Sequence, residues 1–283
     1  MNPALQVDGI DILVEGDGPN TLVMLHGWPD NHRLWDAQVD HFRASHRCVR
    51  FTLPGFDLHQ PRRAASLAEL VALIRGVVEA TSDGRPVTLM LHDWGCVFGY
   101  QFAMLHPAMV SRIVGVDIGD AGSPDHQRSM SLRAKAMVFG YQAWLAVAWR
   151  ISGFGRSGGL GRSGGFGGHW PALADRMTRR MAKALRAPAE PALVGAQMNY
   201  PYDIEWTGSH GSYRGRVPFN PACPMLYIFG QRKPFQFHSR AWADALAARP
   251  GSRVLPFATG HWVMKQQPQA FNTAVADWLA ASH

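Results

Sequence analysis

A doubly wound α/β fold, built on a mostly parallel sheet and interrupted by a helical cap, is predicted by three observations. Short apolar runs bounded by Gly, Pro or charge alternate with longer helical stretches over the first 120 residues. The same alternation resumes after residue 220, and the hundred residues between contain no strand-like run. Runs of four to six apolar residues are what strands buried on both faces look like, and alternating them with helices produces βαβ units.

Taken in order, strands are expected at 21–25, 48–53, 86–91 and 113–116, with crossover helices at 64–81 and 97–106. The second set is a strand at 225–229, a helix at 239–248, a strand at 253–257 and a closing helix at 268–281. In the middle, Val138, Tyr141, Leu145 and Trp149 recur at three- and four-residue spacing, the stripe of one helix face. Residues 1–120 and 220–283 are therefore expected to form one core and residues 121–219 the cap. Nine of the sixteen residues from 153 to 168 are Gly, and Gly155-Arg156-Ser157-Gly158-Gly159 recurs as Gly161-Arg162-Ser163-Gly164-Gly165. No helix tolerates that composition, so a mobile loop is expected there.

Composition narrows the classes. The 283 residues are 47% hydrophobic and 17% charged, with ten Trp and fourteen Phe, far from the signature of disorder. No run reaches the ~20 apolar residues of a membrane span, and the N-terminus lacks a basic start and an apolar signal core. The expectation is a cytoplasmic protein with no membrane partner. Three cysteines, Cys48, Cys96 and Cys223, stand far apart and outside any paired motif, which suits reduced packing residues and no metal site. The net charge of +7 is concentrated in residues 121–220, which hold eleven Arg and two Lys against three Asp and two Glu. Because Arg outnumbers Lys 24 to 4 throughout, this basicity reads as overall composition and not as a nucleic-acid surface.

The chemistry concentrates in three segments. Leu91-His92-Asp93-Trp94-Gly95-Cys96 falls between an expected strand and an expected helix, on the kind of sharp turn that lifts a nucleophile clear of a sheet. Such a turn needs little bulk two residues away on either side; Gly95 meets this and Leu91 does not. A carboxylate there, with an ordinary pKa of ~3.9, is ionised without help at neutral pH. It suits displacement at saturated carbon with formation of an ester, whereas attack on a carbonyl would give an anhydride that reverts. The bland alternative is an Asp that caps the following helix. Upstream, His26-Gly27-Trp28-Pro29 ends the first strand; downstream, Thr259-Gly260-His261-Trp262 follows the last one.

With these segments in this order, the chain resembles the α/β-hydrolase superfamily, in the branch with an Asp nucleophile that contains epoxide hydrolases and haloalkane dehalogenases, and most nearly the epoxide hydrolases. The resemblance spans nearly the whole chain. It implies Asp93 as nucleophile, the backbone of Trp28 and Trp94 as oxyanion hole, and His261 as the base that activates water. No cofactor is implied. The partners implied are a small apolar substrate and water, acted on by a monomer or homodimer.

His26, Gly27 and Pro29 match the HGxP motif of epoxide hydrolases, while the elbow resembles that of dehalogenases, whose Trp holds the leaving halide. Epoxide opening needs a proton donor, given in that family to cap tyrosines, and Tyr141, Tyr200 and Tyr202 are the candidates; a phenol of pKa ~10 is neutral at pH 7. For a halide the donors would be Trp94 with another Trp, of which Trp28, Trp144 and Trp149 are available, or with an Asn. No Ser occupies the elbow, which disfavours a serine esterase; Ser111 and Ser239 lie elsewhere.

One departure stands out. The relay acid usually sits in a Gly-x-x-Asp turn, but here the turn is Gly230-Gln231-Arg232-Lys233-Pro234. A cation would oppose what the histidine needs. Asp117 or Asp120, at the end of the 113–116 strand, is the expected replacement. If neither serves, a catalytically silent binding protein on the same fold is the reading from another class.

Overall fold

A computed structural model describes residues 5–154 and 169–281 of the chain. The Gly-rich stretch expected as a mobile loop lies outside these residues except for Gly153 and Phe154. Among the described residues one eight-stranded sheet runs in the order β1-β2-β4-β3-β5-β6-β7-β8. The first two strands, β1 (Leu5–Val7) and β2 (Ile10–Glu15), form a hairpin, and β2 pairs antiparallel with β4 (His46–Phe51). From β4 onward, through β3 (Asn20–Leu25), β5 (Val87–His92), β6 (Val110–Val116), β7 (Met225–Gly230) and β8 (Arg253–Phe257), every pairing is parallel.

Parallel strands need helices on both faces, and the strand residues divide accordingly. Val23, Leu25, Leu89, Leu91 and Ile113 pack toward α2 (Leu67–Thr81) and α3 (Trp94–Leu105). The residues between them, Leu22, Met24, Met90 and Val114, pack toward α1 (Asp36–Phe42) and the C-terminal helices. A capping box fixes the start of α2: Ser66 accepts from the Glu69 amide and Glu69 reaches back to Ser66. Hence the helix begins at Leu67 rather than at 64.

Between β6 and β7 the described residues contain helices and no strand. These are α4 (Pro124–Ser129), α5 (Leu132–Gly153), α6 (His169–Ala184) and α7 (Tyr200–Thr207), with α5 packed on both α6 and α7. After β7 come α8 (Arg240–Ala247), capped by the Ser239 hydroxyl, then the short α9 (Val263–Gln266) and α10 (Pro268–Ala280). No described helix is long and apolar enough to cross a membrane. Since β5, β6 and β8 are parallel neighbours or near neighbours, their C-terminal ends, carrying Asp93, Asp117 and His261, meet at one edge of the sheet, where ligands of such sheets bind.

Candidate active site

Asp93 sits between β5 and α3 at φ 52° and ψ −124°, a conformation that is strained for any residue with a side chain. Its side chain makes no capping bond to α3, so the role of a plain helix cap is not what the structure shows. Two glycines admit the turn. A Cβ on Gly27 would lie 2.4 Å from Asp93 Oδ1, and one on Gly95 would lie 2.5 Å from the Leu25 carbonyl oxygen. The bulk of Leu91, at odds with the requirement for a small residue, is taken up elsewhere. Its side chain lies over Gly99, where a Cβ would come within 2.5 Å of Leu91 Cδ2, and its neighbour in register on β6 is Gly115.

The carboxylate of Asp93 is held at both oxygens. Oδ1 accepts the Trp28 amide at 2.7 Å, and Oδ2 lies 3.3 Å from His261 Nε2. Burial pushes its pKa up, but the hydrogen bond and charge of His261, with the Trp94 amide, outweigh this and keep it below the ordinary carboxylate value.

His261 Nδ1 is hydrogen-bonded to Asp117 Oδ2. Asp117 is fully buried at φ 69° and also accepts the Gly230 amide at 3.0 Å and the Lys233 ammonium at 2.5 Å on each oxygen. Burial disfavours its ionised form, but the charges of Lys233 and His261 reverse the balance and hold its pKa below the usual value. Burial also lowers His261, yet the two flanking carboxylates dominate and raise its pKa to about 9. Asp93, His261, Asp117 and Lys233 thus form one line of alternating charge. The Lys that breaks the expected turn does not oppose the histidine directly, because it spends its charge on Asp117.

Asp120, the other expected acid, is placed elsewhere. Its Oδ1 accepts the Ser239 amide at 2.6 Å, and its Oδ2 accepts the hydroxyls of Ser123 and Ser239 at 2.6 and 2.8 Å, so it fastens the end of β6 to the start of α8. It has no bond to His261 among the described residues.

The three tyrosines separate as well. Tyr141 and Tyr202 line the same cavity as Asp93 and His261, a space of about 600 Å³, with ring centroids 6.0 Å apart. A second cavity of about 530 Å³ meets the first at Asp93, Tyr141, Tyr202 and Phe237. Burial raises the pKa of both phenols, and the charge of Asp93 adds to the rise in each, so both are neutral hydrogen-bond donors. Tyr200, by contrast, lines neither cavity. It packs between Phe56 and Trp149, and its hydroxyl has no partner among the described residues.

Two of the indoles offered for a halide are committed: Trp28 Nε1 donates to Asn199 at 2.7 Å and Trp144 Nε1 to the Met177 carbonyl at 3.0 Å. The Trp94 ring lies 5.3 Å from that of Tyr202. Trp149 is buried beneath the Arg62 guanidinium. His26 is structural: Nδ1 meets the Gly27 carbonyl at 2.9 Å, Nε2 accepts the Leu53 amide at 2.9 Å, and burial pulls its pKa down to about 4. Pro29 follows a cis peptide bond from Trp28.

Sequence reasoning missed several participants. Asp30 receives the Trp262 indole at 2.8 Å, and burial pushes its pKa up to about 7. His92 faces the His261 carbonyl at 3.2 Å, with burial taking its pKa to about 3. Asn199 stands between Trp28 and Thr178, donating to the Thr178 hydroxyl at 2.8 Å. Each adjoins a segment already singled out, and that adjacency was the available signal.

Residues 22–274 match the model of the alpha/beta hydrolase family. The chain belongs to this family. Among curated proteins, this α/β-hydrolase is 33% identical over 116 residues to epoxide hydrolase 2 of Caenorhabditis elegans, a match covering 39% of this chain and 32% of that protein. Epoxide hydrolase 3 of Xenopus tropicalis is 34% identical over 110 residues, 36% of this chain and 29% of the other. A cis-3-alkyl-4-alkyloxetan-2-one decarboxylase of Xanthomonas campestris is 30% identical over 118 residues, 38% and 39% of the two chains. The matches thus span about a third of these relatives. Among solved structures, an epoxide hydrolase of Bacillus megaterium superposes with a TM-score of 0.69 at 20% identity, covering 99% of this chain and all of that one, a likeness of fold.

Proposed function

We propose that this α/β-hydrolase opens epoxides of small apolar substrates to vicinal diols through an ester on Asp93. The observation that carries the reading is that two phenols kept neutral by burial, Tyr141 and Tyr202, line the same cavity as the carboxylate, while the Trp28 indole in that cavity already donates to Asn199. Asp93 Oδ2 attacks a ring carbon; the C–O bond breaks toward the ring oxygen, which takes its proton from a tyrosine. Water then gives a proton to His261 and adds to the ester carbon, and the resulting oxyanion on Oδ1 lies against the amides of Trp28 and Trp94. Collapse expels the diol oxygen, which takes the proton that water left on the Asp93 carboxyl, and regenerates ionised Asp93 and protonated His261; the tyrosinate has by then recovered its proton from His261, which is what leaves the imidazole neutral to accept one from water.

The line from Lys233 through Asp117 and His261 to Asp93 supports an enzyme over a silent binding protein, since a protein that only binds has no need of it. Hydrolytic dehalogenation by the same nucleophile is the second reading, favoured by the Trp94 elbow. The reading needs no cofactor, and a cytoplasmic monomer or homodimer suffices for it.

A single turnover in water enriched in heavy oxygen, with a styrene-type epoxide and a bromoalkane in parallel, tests it. Label in the Asp93 peptide with diol product is expected. Bromide release alone would transfer the proposal to dehalogenation, and an unlabelled Asp93 with either substrate would overturn the ester mechanism.

A further inference from the structure

In this fold the catalytic base needs a carboxylate behind it, and here that carboxylate reaches it from the end of β6, fully buried and at positive φ. An isolated anion at such a site would be costly to bury. The turn after β7 supplies the compensation: the Lys233 side chain, 8% exposed, places its ammonium 2.5 Å from both Asp117 oxygens. The backbone of that turn is held independently of the lysine, by the Gln231 amide on the Phe257 carbonyl at 2.9 Å and the Arg232 amide on the Thr259 carbonyl at 2.7 Å. Lys233 is therefore not required to shape the loop. Its bonds go to one carboxylate.

The electrostatics around His261 define what this contact does. In the free enzyme the imidazole lies between two anions, Asp93 and Asp117, and it is held protonated. A protonated imidazole cannot take a proton from water. Forming the ester on Asp93 removes one of the anions, and the strength of the remaining one decides whether His261 releases its proton. His92 on β5 and His238 beside Lys233 are both kept neutral by burial, with pKa values of about 3 and about 4. Asp30, from the loop after β3, is pushed up to about 7 by burial, against the hydrogen bond from Trp262. Arg186 lines the cavity from just beyond the end of α6. Arg232 lines the cavity from the same turn as Lys233. Among the described residues, Lys233 is the cation in contact with the relay carboxylate.

We infer that Lys233 is a positioning residue that lets a carboxylate on β6 replace the usual relay acid: it holds Asp117 in place and cancels enough of its charge for His261 to act as a base once Asp93 is esterified. This rests on the ester mechanism proposed above, and it moves the work of Lys233 into the second half of the cycle. Ester formation needs only ionised Asp93 and a proton donor; ester hydrolysis needs the neutral base. Losing the lysine charge leaves the first step nearly unchanged and slows the second at neutral pH.

The test compares Lys233→Gln, which keeps an N–H donor without charge, with Lys233→Arg, which keeps the charge, both in the full chain with styrene oxide as probe. Intact-protein mass follows the adduct on Asp93 through a single turnover from pH 6 to 10. For the glutamine variant the adduct is expected to form within about threefold of the wild-type rate, and to decay about tenfold more slowly at pH 7. Decay should recover as pH rises, its acid limb displaced upward by about one unit, whereas the arginine variant should keep the wild-type limb. An unshifted limb for the glutamine variant, or a shifted one for the arginine variant, would overturn the inference.

Histidine NMR in the Asp93→Asn background, where the neutral amide stands in for the ester, gives a readout independent of turnover. There Lys233→Gln should raise the His261 midpoint by about one unit, and an unmoved midpoint would count equally against it. If wild-type protein forms no adduct, the proposed chemistry fails, and the NMR titration still decides the role of Lys233.

Discussion

Tyr200 and Tyr202 are two positions apart on one helix, and the cavity distinguishes them completely. The Tyr202 ring meets Trp28, Trp94 and Tyr141 at centroid separations of 5.9, 5.3 and 6.0 Å, in the cavity that holds Asp93, whereas Tyr200 faces Phe56 and Trp149 in the core. Removing one donor to the departing oxygen should lower kcat by about 10²-fold for Tyr141→Phe or Tyr202→Phe. Tyr200→Phe should leave kcat within about twofold. It should also keep or raise the melting temperature, because a buried hydroxyl without a partner costs stability. Steady-state diol formation with a thermal melt of each variant checks this, and a Tyr200→Phe enzyme as impaired as Tyr202→Phe would refute it. The sequence could nominate three tyrosines but not choose among them. In a helix the choice depends on which face the neighbouring helices cover, and that is not local information. The same holds for Asp117 and Asp120: three residues apart at one strand end, they are separated only by the positive φ that turns Asp117 toward β7.

At the scale of elements, the parallel strands and crossover helices were legible because each strand is buried on both faces and reads as an uninterrupted apolar run. The hairpin of β1 and β2 was not, since its strands are short and half-exposed, with burial too uneven to leave an alternation. Its turn carries a signal that went unread: Asp8-Gly9 is a pair that tight hairpins favour, and both residues take positive φ. The elbow shows the opposite case, a local rule broken and compensated at a distance. Leu91 violates the requirement for a small residue, and Gly99, two turns into α3, absorbs the volume. Gly99→Ala should therefore destabilise despite the better helix propensity of Ala, by about 1 kcal/mol, the middle of the ~0–2 kcal/mol left when a gain of ~1 kcal/mol is set against overpacking of ~1–3 kcal/mol. Adding Leu91→Ala should recover part of the loss. Denaturant unfolding of the single and double variants measures both, and a Gly99→Ala protein as stable as wild type would contradict this account.

For the whole molecule, the buried titrating groups set how stability depends on pH. His26 and His92 are neutral in the fold down to about 4 and about 3 but protonate near 6.5 when unfolded, so between pH 4 and 6.5 the unfolded chain binds two more protons at these sites. Asp30 acts the other way, holding its proton up to about 7 when folded and losing it near 3.8 when unfolded. His238, neutral down to about 4 when folded, adds a third proton on the unfolded side, so the net is two protons in favour of the unfolded chain and stability rises with pH across that window by about 2.7 kcal/mol per unit. His261, raised to about 9, binds its proton more tightly when folded, and its contribution is present below 6.5 and lost as pH climbs through 9. Melting temperature should thus be highest between about pH 6.5 and 7 and fall on both sides. A melting temperature still rising from pH 7 to 9 would show that the charge around His261 has been misassigned.

The bonds from the Trp28 indole to Asn199, and from Asn199 to Thr178 on α6, tie the loop after β3 to the helices between β6 and β7 through one side chain. Trp28 is also the residue whose amide meets the Asp93 carboxylate, so the seat of that carboxylate is anchored by a residue 171 positions further along the chain.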